Sequence, residues 1–199
     1  MTAASARRQI TRADILDLAG YAAVRAEKRR ALVAIKAVRR LAVGPVATFY
    51  FESYDTMWMQ IHEMLRIERG GETQIADELA AYNPLVPNGR ELVATVMFEI
   101  DDPERRNAIL SALGGVESTM SLRFGTEQVT GRPESDLART NAQGKTSSVH
   151  FIHFPFTPAQ IEAFRTPEQQ VIVGIGHPHY GHMAIMPETV RAALATDFD

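Results

Sequence analysis

The period of the hydrophobic pattern changes once along this 199-residue chain, near residues 84–90, and that change limits the fold class more than any other feature. Before it, apolar residues recur at helical spacing: Val24, Ala31, Leu32, Ile35 and Val38 form one stripe, and Met57, Trp58, Ile61, Met64 and Leu65 form another. After it, short β-branched and aromatic runs such as ELVATVMFEI, SSVHFIHFPF and QQVIVGIGH alternate with brief capped helices. Helices first, then strands interspersed with helices, predict an α+β fold: N-terminal helices followed by a mainly antiparallel sheet with helices packed on one face. A single domain over 1–199 is expected. A sub-domain boundary, if the chain has one, falls near 84–90, with 1–83 mostly helical and 91–199 α+β.

Local signals sharpen the elements. Thr11 with Asp14 three residues on predicts a helix over RADILDLAG, and a second, longer helix should run through AAVRAEKRRALVAIKAVRR. A strand is expected around 46–52, then a helix capped by Ser53 and stopped near Gly70. A further helix should cover TQIADELAAY. Asp101 or Asp102 before Pro103 caps the next one, so the acidic run EIDDPE reads as capping rather than as a site. Strands suit STMSLRFG and TEQVTG, RPESDLARTNAQGKTSS is loop-like with a helical turn at its centre, and Thr157 caps TPAQIEAF. QQVIVGIGH and GHMAIMP form a hairpin, and PETVRAALATDF is a closing helix.

Composition narrows the chemistry. With no cysteine, disulfides, thiolate zinc sites, thiol nucleophiles and cysteine-ligated clusters are excluded. No apolar run is long enough to span a membrane and no signal-peptide pattern opens the chain, so a cytoplasmic location is expected. Residues 1–40 carry ten basic side chains against Asp14, Asp17 and Glu27, a balance of +7, which leaves −10 on the remainder. Tyr21 is the one aromatic residue in that segment, which argues against nucleic acid as the partner.

The chain resembles a bacterial family known as domain-of-unknown-function family 3501. The resemblance rests on ITRADI, VGPVATFYFESYDTMWMQIHEMLRIERGG, IADELAAYNPLVPNGRELVATVMFEIDDPERR, HFPFTPAQIEAF and HPHYGHMAIMP. It implies the company of rubrerythrin-like di-iron proteins and iron–sulfur oxidoreductases, hence iron or peroxide handling.

Three of six histidines fall within GHPHYGH. If a four-residue loop 178–181 joins the strands, His177 and His182 oppose each other with Cβ atoms about 5 Å apart, close enough to share a metal. Tyr54, Trp58 and His62 lie along one side of a helix, with Glu63 one residue round and Glu52 at the end of the preceding strand. These residues predict a metal site of His177, His182, His62 and Glu63 or Glu52, iron preferred and manganese or zinc allowed. Tyr54 or Tyr180 would then donate a proton or an electron. His150 and His153 point to opposite faces of one strand and read as sheet histidines. Two further readings stand beside this one: a metal-free protein that docks a redox partner through Arg29, Arg30, Arg39 and Arg40, and a metal-independent enzyme with His62 or His179 as general base. No nucleophile elbow or Walker spacing is present.

Overall fold

In the computed structural model, which describes residues 7–134, 140 and 144–199, the helix starts follow their capping residues. Ser53 Oγ accepts from the Thr56 N–H and opens α2 (Tyr54–Glu68), Asp102 accepts from the Arg105 N–H and opens α4 (Pro103–Ala112), and Thr157 accepts from the Gln160 N–H to open α5 (Pro158–Arg165). The chain leaves α2 through Arg69, which stands at φ 55°, a left-handed position, and then enters α3 (Gly71–Tyr82).

Two expected helices at the N-terminus are in fact a turn and one helix. Thr11 donates its N–H and hydroxyl to Asp14, but this closes only a 3-10 turn at Arg12–Asp14. Asp17 then caps α1 (Leu18–Ala37), which ends before the expected Arg40. The chain turns directly into β1 (Arg40–Val43), an unexpected strand paired with β2 (Ala47–Phe51).

β2 pairs with β3 (Glu91–Phe98), β3 with β7 (Val149–Pro155), and β7 with the short β6 (Arg132–Pro133), giving an antiparallel five-stranded sheet. A second antiparallel sheet runs β5 (Glu127–Thr130), β4 (Met120–Phe124), β8 (Val171–His177), β9 (Tyr180–Ile185). The α+β class is as expected, with two sheets in place of one. Their inward residues, among them Phe49, Val96, Phe154, Leu122, Val173 and Ile175, form one buried cluster. α5 and α6 (Glu188–Ala195) close its end through Phe164, Leu194 and neighbouring rings.

A second cluster lies on the outside of the five-stranded sheet. Met57, Ile61 and Leu65 of α2 pack with Ile10, Ile15, Leu85 and Val86 on Val93 and Phe151. α1 lies over α2 and buries only Tyr21 of its twenty residues. The helical turn expected within RPESDLARTNAQGKTSS falls outside the described residues. Among the described residues no helix is long and apolar enough to cross a membrane.

Candidate functional site

The hairpin geometry separates the histidines from metal chemistry. The loop is Pro178-His179, two residues rather than four, so His177 stands opposite Tyr180 and His182 opposite Ile175. His177 Nε2 donates to the Gly114 carbonyl at 3.2 Å, and its Nδ1 accepts the His179 N–H at 3.2 Å. Both ring nitrogens are occupied. His182 packs edge-on against Tyr180, ring centroids 4.4 Å apart, and covers Gly44 so closely that a Cβ there would lie 2.6 Å from His182 Cγ. Gly44 has φ 73°, so the β1–β2 turn needs glycine twice over, for conformation and for space. His179 is exposed at the hairpin tip.

His62 is equally committed. It is 1% exposed, its Nε2 accepts the Leu16 N–H at 3.1 Å, and its Nδ1 donates to the Trp58 carbonyl at 2.8 Å. That pattern requires the neutral Nδ1–H tautomer, and burial lowers its pKa further, against the Trp58 hydrogen bond. It ties the segment before α1 to α2 and has no lone pair left for a metal or a proton.

Glu63 accepts a two-pronged ion pair from Arg25, at 2.7 and 2.9 Å, together with the Tyr21 hydroxyl at 2.5 Å. The Arg25 guanidinium is the main reason its pKa falls to about 2. Tyr54 accepts from Arg7 at 3.2 Å, whose guanidinium also lies over its ring. Tyr180 is 5% exposed and saturated: its hydroxyl accepts from the Val46 and Ala47 N–H groups, each at 3.0 Å, and donates to the Val43 carbonyl at 2.9 Å. It clamps the β1–β2 turn to the second sheet instead of supplying protons.

The expected metal site is therefore overturned. Among the described residues no three His, Asp or Glu side chains converge in a way that could hold an ion. His62 and Glu63 both meet Tyr21, through its ring and its hydroxyl respectively, whereas the 177–182 hairpin belongs to a different network around Gly114 and the β1–β2 turn. His150 and His153 do occupy opposite faces of β7: His150 is fully buried, and His153 lies outside between Glu91 at 3.2 Å and Glu134 at 2.9 Å, which raise its pKa.

Glu52, among the proposed residues, lines an apolar-walled cavity. By strand alternation Phe49 and Phe51 point inward, whereas Thr48, Tyr50 and Glu52 point to the outer face of the five-stranded sheet. There α2 and α3 cover Val93 and Phe151 but leave Met97 36% exposed. The uncovered part forms a cavity of about 460 Å3, walled by Met57, Leu85, Met97, Val149 and Phe151 with Tyr50, Thr56, Gln60, Tyr82, Lys36 and Arg39 around them. Glu52 is 8% exposed, and its Oε1 accepts the Thr95 hydroxyl at 2.6 Å.

Arg39, expected on an exposed helix face, is buried instead. It forms an ion pair with Asp197 and donates to the carbonyls of Phe51 at 3.1 Å and Glu52 at 2.7 Å. It joins the C-terminal segment to the edge of this cavity and is unavailable for docking a partner. A polar cavity of similar size lies on the other side of Arg39, but its arginines already have partners: Arg7 with Tyr54, Arg8 with Asp199, and Arg39 with Asp197.

A family model described as a protein of unknown function, DUF3501, matches residues 9–198. The chain belongs to that family. The chain is also similar to the crystal structure of a novel protein of unknown function from Burkholderia pseudomallei, to which it is 36% identical. The match covers 96% of this chain and 100% of that one, with a TM-score of 0.89. A comparison with curated proteins returns no match. Membership in DUF3501 carries the fold to this chain but no reaction, so function must be argued from the cavity.

Proposed function

We propose that this protein binds a small organic molecule with an apolar body in the cavity between α2 and the outer face of the five-stranded sheet. The observation that carries the reading is an apolar-walled space of about 460 Å3 with a buried carboxylate in its wall. Binding sites for small molecules are typically concave, mostly apolar and of roughly 300–1,000 Å3, with a few polar groups that fix orientation. Met97 and Val149 would be awkward to leave beside water on a sheet face, and a ligand resting on them removes that exposed area.

Neutral benzyl alcohol is a suitable probe because it matches an apolar wall with one hydroxyl. Titrated into 15N-labelled protein, it should shift the amides of Thr95, Met97 and Phe151 first. Filling the cavity with Val149→Trp should abolish those shifts while leaving the hairpin amides unchanged. Shifts scattered over the surface, or persisting in Val149→Trp, would refute the reading.

A further inference from the structure

The carboxylate in the cavity wall lacks a counter-charge. Among the described residues Glu52 makes one side-chain hydrogen bond, to the uncharged Thr95, and no lysine or arginine forms an ion pair with it. The nearest guanidinium, Arg39, binds the Glu52 main-chain carbonyl rather than its side chain and gives its charge to Asp197. Lys36 borders the same cavity, but its side chain makes no ion pair with Glu52. Glu52 is mostly buried and borders the cavity, so an occupant that takes water from its free oxygen incurs a desolvation cost that an ammonium offsets. Thr95 holds one oxygen in place and leaves the other free to accept.

From this we infer that the ligand of the cavity is an amine: a primary or secondary ammonium on an apolar body, with the ammonium at Glu52 and the body against Met97, Val149 and Phe151. This inference rests on the reading of the cavity as a binding site and adds the charge and class of what it takes. A hydroxyl could donate to Glu52 as well, but it leaves the charge uncompensated, whereas a charge-assisted bond is about twice as strong as a neutral one. An anionic ligand could meet Lys36 at the cavity edge but would gain nothing from Glu52, whereas an ammonium pairs with it directly.

The test compares benzylamine, benzyl alcohol and benzoate by NMR titration at neutral pH, on wild type and on Glu52→Gln. Benzylamine should bind wild type at least about tenfold tighter than benzyl alcohol, a factor that corresponds to about 1.4 kcal/mol, and benzoate should bind weakest. The amine's advantage should vanish in Glu52→Gln, and a nuclear Overhauser contact should join the benzylamine methylene to the Thr95 methyl. Equal binding of amine and alcohol at the cavity, or preferred binding of benzoate, would overturn the amine inference and leave the cavity reading intact. No binding of any probe at the cavity would overturn both. If Glu52→Gln fails to fold, the ranking of the three probes on wild type and the methylene contact still decide the matter.

Discussion

Tyr180→Phe removes a single oxygen, and the structure assigns that oxygen three partners. The hydroxyl satisfies the Val46 and Ala47 N–H groups and the Val43 carbonyl, all at 2.9–3.0 Å, in a turn where Val43 and Ala47 are buried. Phenylalanine keeps the ring contacts with Phe98 and His182 but strands the Val46 N–H and takes one bond each from the Ala47 N–H and the Val43 carbonyl, which remain register partners in the β1–β2 ladder. A buried polar group left unsatisfied costs about 1–3 kcal/mol. Local relaxation and water entry at the turn reduce the sum, so the expected loss is about 2–4 kcal/mol. In a domain of this length each kcal/mol lowers the melting temperature by roughly 2–4 °C, so Tyr180→Phe should melt about 5–15 °C below wild type. Urea denaturation, followed by circular dichroism, and calorimetry measure both quantities. A loss under about 0.5 kcal/mol with an unchanged urea slope would show that the clamp is not formed, and the structural assignment of Tyr180 would fail.

Two further changes probe the ion pairs. Asp197→Ala strands the buried Arg39 guanidinium, and breaking such a pair from one side costs about 3–5 kcal/mol; the double variant Arg39→Met/Asp197→Ala should recover part of the loss in urea denaturation, and no recovery would contradict the pairing. Glu63 has its pKa depressed from 4.5 to about 2, mainly by Arg25, so it contributes stability that is present above pH 4.5 and lost as pH falls from 4.5 towards 2. Arg25→Met should therefore destabilise the protein at pH 7 and hardly at all near pH 2, as read from denaturation midpoints across that range; a penalty independent of pH would show that Arg25 acts through packing alone.

Where an element depends on neighbours in sequence, its outline was legible in advance. Ser53, Asp102 and Thr157 each cap within three residues, and the helices they open appear where expected. β3, β7 and β8 could be read from apolar or alternating runs. Features that depend on distant contacts were not legible. β1 follows α1 after two residues, and Arg39 of that connection and Arg40 at the start of β1 look like the continued polar face of a helix until Asp197, 158 positions away, claims Arg39. The 177–182 register likewise depends on a remote partner: the β1–β2 turn takes the Tyr180 hydroxyl, which places Tyr180 opposite His177 and moves His182 two residues along. Glu52 stands out in the sequence for its position at a strand end, but its lack of an ion pair depends on Arg39 binding another acid, Asp197.

We propose recognition at Glu52 on the outer sheet face and not at the histidine hairpin. The most direct test is the map of amide shifts in wild-type protein on addition of benzylamine. The largest changes should cluster at Thr95, Met97 and Phe151, with 177–182 unmoved. Changes concentrated at His177, His179 and His182, with the sheet face silent, would contradict it.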